Sequence, residues 1–315
     1  MADDETASIE SALDEVEAAL KTFGHAPNRG QRRLLFQTPF GTTLIAATRP
    51  AYDPRAPLVT GIPGVTVTVR TSVQPELEQM LGRMPAEINR FATLGALIRG
   101  DNGLLVASRA SLFAEGGEQD PTPFLLAAAA IYGAESLCRA AAKAALADKS
   151  PQAGMPQESE WGPRDFETLK QQFEKSPRIE SHLDSESFSV GFAVQGGQGE
   201  GTAGEVDALL QVFWNIPHLV CGAGLLIGFE LMAGVGDRER LAALVEHLNR
   251  SELEPAHGFP HFGAWCPGRF EGSLGYVTFL PNGLKSFELE QKFINWALSR
   301  AELTVRWLAQ SNVLS

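Results

Sequence analysis

The chain has 315 residues, 44% of them hydrophobic, a formal net charge of −12 and a pI near 5.0. That length predicts two domains of about 100–200 residues, each able to bury its own core. The acidic balance argues against nucleic acid, which needs a basic footprint, and anionic membrane surfaces would repel the chain.

Residues 1–8, MADDETAS, have neither the basic start nor the apolar core of a secretory signal. Ile9, Leu13, Val16, Leu20 and Phe23 then recur at helical spacing, opposite Glu10, Asp14, Glu15 and Glu17, so an amphipathic helix is predicted over 9–23 with Gly24 as its stop. Arg33–Gln37 and Thr42–Ala47 read as paired strands around a Pro39-Phe40-Gly41 turn. Val65–Arg70 alternates valine with polar residues, the pattern of a half-buried antiparallel strand. A helix is predicted from Pro75 to Phe91, with Leu77, Met80, Leu81, Met84 and Ile88 apolar and a break at Pro85. Strands at Gly95–Ile98 and Leu104–Phe113 flank an Asp101-Asn102-Gly103 turn. The alanine-rich stretch from Pro123 to Leu146 closes the half as a helix.

Residues 148–163 are dominated by proline, glycine and polar side chains and read as a linker between domains 1–147 and 164–315. The second half then gives a helix at Asp165–Phe173, strands at Phe188–Gln195, Leu209–Ile216 and Gly224–Met232, and a helix at Arg238–Leu253. Strands at Phe262–Cys266 and Leu274–Leu280 and a helix at Phe287–Leu308 complete it. Each half therefore runs helix, three strands, helix, two strands, helix. The predicted fold is α+β, with two tandem five-stranded antiparallel-sheet domains packed as a pseudo-dimer. The uncharged run closest to a membrane span, Ile216–Phe229, falls short of the ~20 residues needed and contains Pro217 and His218, so no membrane insertion is expected. Cys138, Cys221 and Cys266 are odd in number and widely spaced, which argues against a disulfide framework and for a reducing cytoplasm.

A faint internal echo supports the tandem plan. Phe91-Ala92-Thr93-Leu94-Gly95-Ala96 recurs as Phe259-Pro260-His261-Phe262-Gly263-Ala264, each copy following a helix. Those helices share a dipeptide, Asn89-Arg90 in Glu87–Phe91 and Asn249-Arg250 in Glu246–Arg250, although the spacing to the next strand differs. With these segments and the order of elements over Leu77–Ala142 and Leu241–Leu308, the chain resembles type III secretion chaperones and the related YbjN family. The resemblance implies a small acidic bacterial cytoplasmic protein that binds a protein or peptide partner without catalysis. It also implies a tandem form in which one chain supplies both halves of the dimer. Oligomeric states consistent with it are a monomer with an internal pseudo-dimer, or a homodimer.

Three groups of residues bear on chemistry. His257, His261 and Cys266 form a His-x3-His…Cys set that would ligate zinc if Glu254 or Glu271 completed it. Gly258 and Pro260 oppose the helix that such spacing requires, so the favoured reading has no metal, cofactor or catalytic residue. A metal-assisted hydrolase is the alternative, and a structural component of a larger assembly is another. A Cys–His pair drawn from Cys266 or Cys221 with His218, His257 or His261 lacks any nucleophile elbow, and Cys138 reads as packing. Gly196–Gly204 lacks the lysine of a phosphate loop and reads as a connection between strands. Aromatic side chains are abundant in the second half. Strand alternation keeps Phe213 and Trp214 from both facing inward, so Phe213, Trp214, Trp161 and Trp265 are the candidate partner-binding residues.

Overall fold

The structure is a computed structural model that describes residues 2–48, 64–81, 85–113, 120–146, 156–176, 179–195, 205–254 and 260–311. The chain divides into two compact units. One comprises residues 1–148 with 246–264, the other 149–245 with 265–315.

The first unit begins with α1 (Ala2–Thr22), whose Ile9, Leu13, Val16 and Leu20 are buried as the spacing predicts. Then come β1 (Asn28–Gly30), β2 (Arg33–Thr38), β3 (Gly41–Thr48) and β4 (Gly64–Val73). The segment before the next hairpin breaks around Pro85 as expected, into α2 (Pro75–Leu81), the single turn α3 (Pro85–Ile88) and a 3-10 turn at Asn89–Phe91. β5 (Ala96–Gly100), β6 (Gly103–Phe113) and α4 (Thr122–Leu146) complete the order.

All six strands are antiparallel to their neighbours, in the spatial order β1-β2-β3-β4-β6-β5. Helices α1 and α4 cover one face, formed by Leu34, Ile45, Val67, Val69, Val106 and Ala110. On that face a buried Thr43–Thr71 hydroxyl pair, 2.9 Å apart, links β3 to β4. α4 is long and apolar enough to cross a bilayer by length and composition, but 72% of its apolar window is buried as core.

The second unit opens with residues 156–163, which dock onto it. The Ala223 amide donates to Pro156 O at 2.8 Å, and the Ser159 hydroxyl donates to Gly224 O at 3.0 Å. A 3-10 turn (Pro163–Phe166), α5 (Glu167–Phe173) and β7 (Ile179–Leu183) follow, then β8 (Ser187–Gln195), β9 (Glu205–Phe213) and β10 (Gly224–Leu231). After α6 (Arg238–Ser251) come β11 (Ala264–Pro267), β12 (Leu274–Pro281), a 3-10 stretch (Asn282–Phe287) and α7 (Glu290–Gln310). The closing helix starts later than the Phe287 expected, because Glu288 takes a left-handed conformation (φ 49°) that no α-helix continues through. α7 packs on β8, β9 and β10, and the Arg300 guanidinium lies 4.1 Å from the centre of the Tyr276 ring.

Two corrections to the sequence reading concern the strands. Each sheet has six strands rather than five, and four strands rather than three precede the middle helical segment. The strands missed are β1 and β7, both at sheet edges. β1 is three polar or glycine residues, and β7 alternates half-buried Ile179, Ser181 and Leu183 with exposed Glu180 and His182 and is apolar only at its two ends, so neither carries a strong apolar pattern. With them included, the second sheet runs β7-β8-β9-β10-β12-β11, the same plan as the first.

Candidate functional site

The outer edge of β5 is sealed by side chains. Gly100 and Gly103 flank the two-residue turn Asp101-Asn102, so alternation along the hairpin turns the backbone groups of Leu97 and Arg99 away from β6. Buried Asn89 closes both groups of Leu97: its Oδ1 accepts from the Leu97 amide at 2.8 Å and its Nδ2 donates to Leu97 O at 3.1 Å. The next outward carbonyl, Arg99 O, accepts from Arg250 Nη2 at 3.0 Å. The Asn-Arg dipeptides singled out in the sequence thus each supply one residue to the same strand edge. Gly95 in the echo is held by space, since a Cβ there would stand 2.7 Å from Ser108 Oγ.

Beside this edge lies a cleft of about 480 Å³. Val73, Ile98, Leu104 and Leu253 supply apolar surface, while Arg70, Arg99, Arg250, Glu78, Asp101 and Glu254 supply charge. Glu78 reaches over from α2 and its Oε1 accepts from the Leu104 amide at 3.1 Å. Gly103, at φ 121°, permits that approach, because a Cβ would sit 2.9 Å from the carboxylate. Arg250 pairs with Glu246 at 3.3 Å, and Arg99 lies 3.9 Å from the same carboxylate. Arg70 is exposed on β4 and makes no ion pair among the described residues.

A buried polar cluster sits deeper in the same unit. Arg109, Glu252 and His261 are 1%, 3% and 0% exposed. His261 and Arg109 exchange backbone hydrogen bonds of 2.7 and 3.1 Å, Arg109 Nε donates to Glu252 O at 3.0 Å, and His261 Nδ1 lies 2.8 Å from Glu252 Oε2. Burial of charge at this depth is tolerated only with such partners. The cluster therefore ties Glu252 and His261 to β6. His261, read from sequence as an alternative metal ligand, serves as a tether here, occupying the place that buried Thr93 holds in the first copy of the echo.

The remaining candidates separate by burial. Trp265 is fully buried, edge-on to Phe229 with ring centres 5.3 Å apart. Trp214 lies just past the end of β9, stacked on Phe166 at 5.1 Å, with its Nε1 donating to Ser185 O at 2.9 Å. Trp161 is 3% exposed and donates to Glu290 Oε2 at 3.3 Å, so it docks on its own unit. These three tryptophans are core because each finds an aromatic or polar partner inside its own unit, something composition alone does not disclose. Phe213 is the one candidate that is not buried. By alternation it faces away from the helix-covered side, and it is half-buried opposite Leu226 of β10.

Cys221 and Cys266 are buried. His218 Nδ1 accepts from the amides of Val220 and Cys221 at 3.2 and 3.4 Å, which makes it part of a turn. Burial first, then Glu135, pushes the Cys138 thiol up to about 12, far from the reactive thiolate range. His257 and the glycine-rich stretch 196–204 lie outside the described residues. Among the described residues no group of three or more His, Cys, Asp or Glu side chains is placed to hold a metal.

Sequence reasoning missed Asn89 and Arg109 as structural keys. The shared dipeptide signalled the first, and a lone charge within the small-residue run Ala107–Ser111 signalled the second. Comparison of the chain with protein-family models, curated proteins and solved structures found no match.

Proposed function

We propose that the protein is a non-catalytic binding module that holds an extended segment of a partner protein, as its resemblance to type III secretion chaperones and the YbjN family implies. In this reading the two like-ordered sheets are a duplicated plan within one chain. The reducing cytoplasm is the expected compartment. The observation that carries the proposal is the first-unit cleft, in which apolar Val73, Ile98 and Leu253 lie among charged side chains of both signs. Apolar anchors within a polar rim are what a peptide segment with alternating character needs. Recognition there runs through side chains, because the neighbouring strand edge is already occupied by Asn89 and Arg250.

Arg70 offers the cleanest test, since its exposed guanidinium is committed to no ion pair among the described residues. Capture from an extract of the native host after mild crosslinking should recover one dominant partner in near-equal amount with the wild-type chain. Arg70→Glu should lose that partner while melting at the wild-type temperature. An empty wild-type capture, or a partner held equally by Arg70→Glu, would overturn the reading.

A further inference from the structure

The free edge of the second sheet is complementary to itself, and from this we infer that β7 pairs antiparallel with β7 of a second copy about a two-fold axis at Ser181. The argument begins with hydrogen-bond phase. The Asp184 amide donates to Ser187 O at 3.0 Å, so Asp184 and Ser187 form a bonded pair, as do His182 with Ser189 and Glu180 with Gly191. Ile179, Ser181 and Leu183 therefore turn their backbone groups away from β8. Of these, the Ile179 amide alone is satisfied locally among the described residues, by Ser176 O at 3.2 Å. Among the described residues no side chain bonds the Ser181 or Leu183 edge groups, in contrast to the Asn89 clamp on Leu97.

A two-fold axis at Ser181 sets Ser181 opposite its own copy and Ile179 opposite Leu183. All three are outward-facing residues, so the register satisfies the phase without a shift. Ser181 exchanges both bonds with its mate, and the Leu183 amide donates to Ile179 O of the other copy. The same register sets Glu180 opposite His182 on the exposed face, twice by symmetry. Those pairs are non-hydrogen-bonded, where facing side chains come closest. Ile179 and Leu183, half-buried on the other face, meet as an apolar pair. A register moved by one residue loses the phase, and one moved by two sets Glu180 against Glu180 or His182 against His182. The strand thus specifies one self-pairing, which is what an isologous interface requires. His182 also has an intrachain neighbour, Asp184 Oδ2 at 3.6 Å.

The test is sedimentation equilibrium of the full chain at about 10 μM and about 500 μM, since an interface this short gives a weak, concentration-dependent dimer. The wild type should dimerise at the higher concentration. His182→Glu, which faces like charges across the axis, should raise the dissociation constant about tenfold or more. The exchanged pair Glu180→His with His182→Glu restores the opposition and should return it to within about threefold of wild type. Ser181→Pro removes an amide that β8 does not use and should abolish the dimer while leaving the far-ultraviolet circular dichroism unchanged. A wild type monomeric at both concentrations would overturn the inference, and so would a dimer indifferent to His182→Glu or not restored by the exchange. None of these outcomes depends on the first-unit cleft.

Discussion

Strands β5 and β7 are both sheet edges, and they meet the edge problem in opposite ways. β5 is apolar and buried along most of its length, and its outward backbone groups are taken by Asn89 and Arg250. β7 alternates half-buried Ile179, Ser181 and Leu183 with exposed Glu180 and His182, and the edge groups of Ser181 and Leu183 point away from β8. A buried edge must be satisfied within the molecule, because water cannot reach it. An exposed edge can stay open if its side chains limit what can pair with it, and alternating Glu180 and His182 do that here.

The largest way to break this contrast is Asn89→Ala. It strips the donor and the acceptor from Leu97 at a site 1% exposed, and should cost about 2–4 kcal/mol in urea denaturation, each orphaned buried group costing about 1–3 kcal/mol. Asn89→Asp keeps the acceptor only and should fall between alanine and wild type. If Asn89→Ala proves as stable as wild type, β5 is not sealed by this residue. Arg250→Ala acts on the same edge through an exposed side chain and should cost only about 0.5–1 kcal/mol.

The β7 hairpin gives a smaller, pH-dependent test. The Asp184 carboxylate accepts from the Glu186 and Ser187 amides, each at 2.7 Å, and these bonds hold it below the ordinary carboxylate range. A lowered folded-state pKa means the contribution is complete above the ordinary carboxylate value and is lost as the pH falls through the folded value. Hydrogen exchange at the β7–β8 amides should therefore show undiminished protection near neutrality and a loss in acid that Asp184→Asn removes. Acid protection identical in the two proteins would remove Asp184 from the account. Smallest of all is Arg70→Glu, which touches neither edge and should leave stability within about 0.5 kcal/mol.

The elements with strong periodicity were legible in the sequence. The spacing of Ile9, Leu13, Val16 and Leu20, the valine alternation of β4, and the break at Pro85 each appear where local rules place them. The edge strands were not legible, because an edge is defined by what it lacks on one side. The burial of the tryptophans was not legible for a related reason. A strand ending at Phe213 releases Trp214 from alternation, and Trp161 in a proline-rich stretch gives no local sign of the Glu290 that receives its N–H across 129 residues.

By itself the sequence determined an α+β chain with a repeated order of elements, since hydrophobic periodicity, turn residues and prolines act over a few neighbours and survive without tertiary context. Only the tertiary structure decided which segments complete which unit. It carried 246–264 into the first, set His261 against Glu252 and Arg109, and joined Asn89 and Arg250 on one strand. Those choices turn on satisfying buried donors and acceptors between residues far apart in the chain, and a sequence pattern holds no record of such distances.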